Sequence, residues 1–313
     1  MIIGASGYLG RHVRDAAAAA GLDVSTAGRS PLPGSCEHSL IDLATDSPAA
    51  VAATLSQQAP DVVVNCAGAT GGDVGTLAAA NVTGTATLVS ALRRTGRSIR
   101  LVHLGSAAEY GPSEPGTAVA ESDPARPAGA YGATKLAATR LVELGRVTGL
   151  DAVVLRVFNP VGPGAPDTIL PGRLVGELRR AAADGSDVRL GPLGAVRDFV
   201  DARDVADAAV AAALAPALPS AVINVGSGTG VPVRTLVREL VAISGYDGTV
   251  TEGAPAAGAG STGAGPAGAG AGGTSWQQAD IGRARRDLDW EPRRELTAAL
   301  ADLWEECRAP AAR

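Results

Sequence analysis

The stretch Ile2-Ile3-Gly4-Ala5-Ser6-Gly7-Tyr8-Leu9-Gly10 decides the fold. Two β-branched residues run into three glycines at a spacing of three, and a helix-forming segment follows. Glycine at these positions lets the backbone turn tightly and come close to a ligand. A helix that starts there offers unpaired N–H groups and a partial positive charge to an anion. Strand, glycine turn and helix in this order form the phosphate-binding half of a dinucleotide site, here Gly4, Ser6, Gly7, Tyr8, Leu9 and Gly10. Met1 stands only three residues before Gly4, so either the start lies upstream or the first strand is cut short.

Outward from this turn the pattern alternates helix and strand. Helices are expected at 8–20 (stopped by Gly21), 48–58, 73–94 and 129–148. Strands are expected at 24–27, 61–65, 99–104 and 152–157. The run Asp61-Val62-Val63-Val64-Asn65 holds three consecutive β-branched valines, as in a parallel strand buried on both faces. This alternation predicts an α/β fold, a Rossmann-type doubly wound parallel sheet with a smaller C-terminal substrate-binding lobe. The nucleotide-binding domain is expected to be 1–157, with about 196–225 returning to it. The lobe takes 158–195 and 226–313.

After Asn159 the pattern loosens into a rigid loop carrying Pro160, Gly162, Pro163, Gly164 and Pro166. A helix is expected at 168–183, strands at 188–190 and 196–200, a helix at 202–213, a strand at 221–225 and a last helix at 295–307. The tract 253–273 is nearly all Gly, Ala, Ser, Thr and Pro. It has too little apolar side chain to offset ordering entropy and reads as a flexible surface loop.

Of the 313 residues 46% are apolar and only 3% aromatic, so the core must be built from Ala, Val and Leu. A net charge of -5 does not point to nucleic acid or an anionic membrane as partner. Three distant cysteines, Cys36, Cys66 and Cys307, form no disulfide framework and suit a reducing cytoplasm. No signal peptide or bilayer-spanning run is expected. His12 on the first helix, His38 in a loop and His103 in a strand are too scattered for a metal site.

An acidic residue at the end of the second strand would bind ribose hydroxyls and favour NAD. Here Arg29 follows that strand instead. A guanidinium can grip a 2′-phosphate, so NADP is the expected cofactor, with NAD as the alternative.

Tyr131 and Lys135 stand four residues apart, which places both on one helix face. Ser106 ends the strand expected before them, at the edge where open α/β sheets bind ligands. Reduction of a ketone needs a proton on oxygen, and a free tyrosine holds its proton too tightly for efficient transfer near neutrality. Lys135 is expected to lower it, and Ser106 to orient the carbonyl.

With these motifs the chain resembles the extended short-chain dehydrogenase/reductases, the sugar-nucleotide epimerase, dehydratase and reductase group. The resemblance also covers Asp42-Leu43, Asn65-Cys66-Ala67-Gly68, Asn81 to Thr85, Arg156 to Pro163, Arg197 to Asp201 and Leu288 to Pro292. It implies that Asp42 and Leu43 flank adenine and that Ala67, Gly68 and Ala69 line the cofactor. It further implies that Asn159 and Arg197 meet the substrate, and that Asn81 joins its helix to the active-site strand. For Arg197 the alternative is an ion pair with Asp198 or Asp201. The matching dehydratases carry acids just after the serine; here stand Ala107 and Ala108, so dehydration is not expected. Glu109, one place later, is expected to point elsewhere. The motifs look most like reductases that form GDP-rhamnose. The resemblance thus implies NADPH-dependent reduction of a nucleotide-linked 4-keto-6-deoxy sugar. A 4-epimerase and a ketoreductase of a non-sugar natural product are the alternatives. It also implies a homodimer through the helices at 73–94 and 129–148.

Overall fold

The structure is a computed structural model that describes residues 1–32, 37–253 and 275–308. Cys36 and, apart from Gly253, the tract expected as a flexible loop at 253–273 lie outside the described residues.

In chain order the first strands are β1 (Ile2–Ile3), β2 (Thr26–Gly28), β3 (His38–Leu40), β4 (Val62–Asn65), β5 (Arg100–Ser106) and β6 (Ala152–Val157). There follow β7 (Asn159–Val161), β8 (Val188–Leu190), β9 (Val196–Asp201), β10 (Val222–Val225), β11 (Gly230–Pro232), β12 (Val250–Glu252) and β13 (Trp276–Gln277). The helices between them begin with α1 (Tyr8–Ala19), α2 (Pro48–Gln58), α3 (Val74–Leu77), α4 (Gly84–Arg94) and α5 (Ala130–Val147). They continue with α6 (Leu170–Asp184), α7 (Ala202–Leu214), α8 (Val233–Ser244), α9 (Gly282–Leu288) and α10 (Leu296–Arg308).

Among the described residues, seven parallel strands form the main sheet in the order β10-β6-β5-β4-β1-β2-β3. The order reverses at β1, between β4 and β2, and this is the crevice where a doubly wound Rossmann sheet takes its ligand. Successive residues of a strand face opposite sides. So Ile2, Val64, Val102 and Val153 join one core with Val13 of α1 and Val205 and Ala209 of α7. Ile3, Val63, Leu101 and Val154 join the other with Leu55 of α2, Leu88 and Leu92 of α4 and Val142 of α5. Where aromatics are few, alanine lets helices approach closely: Ala202, Ala206, Ala208, Ala209 and Ala212 of α7 are all buried.

A smaller sheet is built around β9, which pairs with β7 in parallel, β11 antiparallel and β13 in parallel. This corrects the expectation that 196–225 returns as one piece. The free edge of β6 is taken by β10, so β9 joins the small sheet while α7 and β10 go back to the main one. The tail divides as well. Ala284, Leu288 and Trp290 are packed in the core of the main sheet, and the Trp290 indole donates to the Asp204 carbonyl at 3.0 Å. Helix α10 instead shares a core with α6 and α8 through Leu174, Leu236, Leu240 and Leu303. The expected helix at 73–94 is interrupted: residues Ala78–Thr83 are wound as a π-helix. His38, expected in a loop, begins β3, where its ring bonds Thr26 at 2.8 Å. Among the described residues no helix is long and apolar enough to cross a membrane.

Candidate active site

The glycine turn sits where β1 meets α1. Gly4 has φ +81, and a Cβ there would stand 2.8 Å from the Ala67 nitrogen. At Gly10 a Cβ would stand 2.1 Å from the Gly4 carbonyl oxygen. Both positions therefore exclude any side chain, and the turn is a cradle that fits a dinucleotide pyrophosphate. Gly7 begins α1 without a side-chain cap, and Ser6 and Gly7 are exposed. Tyr8 and Leu9 are half-buried.

The other candidates for the nucleotide lie along the same edge, past the carboxyl ends of β2, β3 and β4. Arg29 follows β2 and is exposed. Leu43 is buried, while the Asp42 carboxylate accepts the Ala44 N–H at 3.0 Å within its own turn. Ala67 N–H donates to Asn65 Oδ1 at 3.1 Å. Asn81 holds Ala69 at both backbone groups, accepting its N–H at 2.9 Å and donating to its carbonyl at 3.0 Å. The same Asn81 amide donates to Thr134 Oγ1 at 3.1 Å, which in turn donates to the Tyr131 carbonyl at 2.9 Å. Asn81 lies in the π-helical segment, and such segments are frequent at functional sites. It ties the loop 67–69 to the start of α5, whereas the resemblance implied a tie to the active-site strand.

Ser106 ends β5 and opens a short 3₁₀ turn, Ala107–Glu109. Its hydroxyl accepts the Ala108 N–H at 3.2 Å and lies near enough to Tyr131 to draw the phenol's pKa down. Lys135, one turn beyond Tyr131 on α5, is buried and donates its ammonium to the Leu104 carbonyl at 2.5 Å. Ser106, Tyr131 and Lys135 thus converge at the carboxyl end of β5, beside the crevice.

The electrostatics of this trio differ from the expectation. Burial pushes the Tyr131 hydroxyl above its ordinary range, against the pull of the Ser106 hydroxyl, and the Glu109 charge adds to the push. Lys135 does not make Tyr131 acidic; burial instead draws the ammonium down, partly offset by Glu109 and then Cys66. Desolvation is the largest influence on both groups. Cys66, beside them, is pushed up to about 12 by burial, and Cys66 and Cys307 are free thiols.

Glu109 was the functional neighbour that the sequence reading set aside. It is fully buried and pairs with Arg156 at 2.8 Å. Its signal was present: Ser106-Ala107-Ala108-Glu109 is a capping-box pattern, and both reciprocal bonds form.

On the lobe side, Asn159 begins β7 and donates its amide to the Asp198 carbonyl at 2.9 Å. Arg197 is buried, and among the described residues its guanidinium meets only neutral acceptors, the Val196 and Ser275 carbonyls at 2.7 and 2.9 Å and the Ser275 hydroxyl at 2.7 Å. The ion pair considered for it does not form. Asp198 is filled by the Ser227, Gly228 and Ala279 N–H groups and the Ser227 hydroxyl, and Asp201 by Arg203. Gln277 of β13 reaches the site as well, donating to the Ala107 carbonyl at 2.9 Å. The loop after β7 docks on α1. Arg11 and His12 bond the Pro163 carbonyl at 2.8 and 3.0 Å, and the Arg11 guanidinium occupies the space a Gly164 side chain would need. Among the described residues no group of three or more His, Cys, Asp or Glu could hold a metal ion.

Comparison with known proteins follows the same lines. The model of the NAD dependent epimerase/dehydratase family matches residues 1–226. A dTDP-6-deoxy-L-talose 4-dehydrogenase (NAD(P)(+)) of Kitasatospora kifunensis is 39% identical, over 97% of this chain and 93% of the relative. A UDP-glucose 4-epimerase of Streptomyces lividans is 31% identical, over 72% of this chain and 67% of the relative. Among solved structures, MoeE5 in complex with UDP-glucuronic acid and NAD superposes with a TM-score of 0.82 at 27% identity, covering 98% of both chains.

Proposed function

The chain belongs to the NAD dependent epimerase/dehydratase family, as an NAD(P)-dependent oxidoreductase of the extended short-chain type, and from that premise we propose that it reduces the 4-keto group of a nucleotide-linked 4-keto-6-deoxy sugar with NADPH. The observation that carries this reading is the meeting of Ser106, Tyr131 and Lys135 at the carboxyl end of β5, with Ser106 close enough to act on the Tyr131 hydroxyl and Lys135 fixed on the Leu104 carbonyl. The 39% relative acts, by its name, at the 4-position of a 6-deoxy sugar nucleotide, which is the same oxidation-state change in reverse.

In this reading the glycine turn from Gly4 to Gly10 holds the pyrophosphate, Ala67 to Ala69 and Leu43 line the nucleotide, and Arg29 grips a 2′-phosphate. Bound there, a reduced nicotinamide supplies the hydride. Ser106 and Tyr131 hold the carbonyl oxygen between two hydroxyls, and Tyr131 gives that oxygen its proton. A phenol kept protonated by burial is the right form for a donor. Lys135, one turn along the same helix and fixed on the Leu104 carbonyl, can hold the nicotinamide ribose. With Ala107 and Ala108 after Ser106, no acid stands ready for water elimination. Arg197 meets a substrate phosphate, and Asn159 lies near it. The lobe that carries them is 158–201 and 226–252 with parts of the tail, and two copies pair through the α4 and α5 faces.

The test is NADPH oxidation against dTDP-, GDP- and UDP-linked 4-keto-6-deoxy sugars. Turnover with at least one is expected; none with any would overturn the reading. Arg29→Ala is expected to cut the preference for NADPH over NADH by about 10- to 100-fold, the worth of one or two charged hydrogen bonds. An unchanged ratio removes Arg29 from the nucleotide choice. A second reading, a 4-epimerase, is favoured by the 31% relative. It requires purified protein that carries cofactor and interconverts sugars without net NADPH consumption.

A further inference from the structure

Glu109 has no exposed surface, yet its carboxylate makes three hydrogen bonds to three different elements. Oε1 accepts the Ser106 N–H at 2.8 Å, at the end of β5. Oε2 accepts the Thr139 hydroxyl of α5 at 2.8 Å and the Arg156 Nε of β6 at 2.8 Å. Thr139 follows Tyr131 and Lys135 at intervals of four, so all three share one helix face. The backbone makes room for the acid: a Cβ on Gly105 would stand 2.7 Å from Glu109 Oε1 and 2.7 Å from Val154 Cγ1. Gly105 and Glu109 therefore work as a matched pair. With its bonding directions taken by Ser106, Thr139 and Arg156, Glu109 is not placed to exchange a proton with substrate.

We propose that Glu109 is a positioning residue, which locks the strand end bearing Ser106 onto the helix bearing Tyr131 and Lys135 and so sets the gap between the two hydroxyls. The proposal rests on the reductase reading above. Among the described residues the other side-chain tie between this strand and this helix near the site is the Lys135 ammonium on the Leu104 carbonyl, which holds the helix to the strand short of Ser106 and does not itself fix the strand end.

The charge of Glu109 has a second effect. The charged and titratable groups facing it are Tyr131 and Lys135 from α5 and Arg156 from β6, which also lies over the Tyr110 ring at 4.5 Å. From this place it supports the Lys135 ammonium against desolvation and pushes Tyr131 up. The proton-bearing phenol suits a donor to a ketone. The opposite task, taking a proton from an alcohol, needs the form that Glu109 disfavours.

Two variants test the proposal. Thr139→Val removes the tie to α5 and leaves the Glu109–Arg156 pair intact, so it remains informative even where a charge change prevents folding. It is expected to lower kcat by about 10- to 100-fold with KM for NADPH and sugar unchanged, as small misplacements of reacting groups do, and Thr139→Ser is expected to restore kcat. Glu109→Gln is expected to move the alkaline limb of kcat/KM to lower pH. The ultraviolet tyrosinate titration of Tyr131, taken as the difference from the same protein with Tyr131→Phe, should move the same way. A folded Thr139→Val enzyme with unaltered kcat, or a folded Glu109→Gln enzyme with an unmoved Tyr131 titration, would overturn the proposal. A shifted titration in protein that reduces no keto sugar would instead strike the reductase reading and leave the positioning role standing.

Discussion

Arg156 and Arg197 are both buried guanidiniums, one under the main sheet and one in the small sheet, and they are treated in opposite ways. Arg156 has a carboxylate at 2.8 Å, and the Glu109 charge is the main influence that holds its proton against desolvation. Arg197 has only two carbonyls and a hydroxyl, and burial draws its pKa down with no anion to oppose it. A buried charge without a counter-charge is costly to keep. Arg156 is therefore part of the framework, and Arg197 is a cation that finds no counter-charge among the described residues. That difference separates structure from recognition more sharply than distance to Tyr131 does.

The largest effect that could break this contrast is on stability. Arg156→Met strands the Glu109 carboxylate in the interior and is expected to cost about 3–5 kcal/mol in urea unfolding. Arg197→Met removes a charge that lacked a counter-ion and is expected to stay within about 1 kcal/mol of the parent. Equal losses in the two variants would erase the distinction. Next in size is binding. Arg197→Met is expected to raise KM for the nucleotide sugar by about 10- to 100-fold, as one charged hydrogen bond or two would, with KM for NADPH unaltered. Inorganic pyrophosphate or UDP should raise the melting temperature of the parent and leave that of the variant unchanged.

The smallest effect concerns His103, which lies in β5 near Lys135. Asn65 donates its amide to His103 Nδ1 at 3.1 Å, and Nε2 has no partner. Burial, and then the Lys135 charge, hold the ring well below its ordinary value of 6.5. The unfolded chain then takes up a proton that the folded chain refuses. The stability this ring contributes is complete above about pH 6.5 and falls as pH drops below it, by up to about 1.4 kcal/mol per pH unit. His103→Asn should flatten the slope between about pH 6.5 and 5, leaving a smaller one from His12, which burial also depresses. An identical slope would mean that the region near Lys135 tolerates an unpaired charge after all.

Much of the main sheet was legible because its signals are local and periodic. The helix expected at 48–58 and the strand at 152–157 stand at those bounds in the structure. The small sheet was largely not legible. Strands β7, β11 and β13 have two or three residues each, with Pro160, Gly230 and Pro232 among them, and so few residues carry no period. Helix α8 also went unread, although Leu236, Val237 and Leu240 recur on one buried face. At the candidate site, Ser106, Tyr131 and Lys135 were named from spacing and do meet. Their electrostatics could not be named, because burial dominates Tyr131 and burial belongs to the tertiary fold. Glu109 does point elsewhere, into Ser106, Thr139 and Arg156, but not by strand alternation: the chain leaves strand geometry at Ser106, three residues before it.

The contact between Arg11 and Gly164 has a consequence for divergence among homologues. Gly164 has φ +66, and its missing side chain leaves the place where the Arg11 guanidinium rests against Pro163, within 4.0 Å of Glu306. A side chain at 164 would evict that guanidinium, and a short residue at 11 would leave a hole beneath the loop. The two positions should therefore covary across an alignment, an inherited bond between the half of the gene that encodes the glycine turn and the half that encodes the smaller sheet.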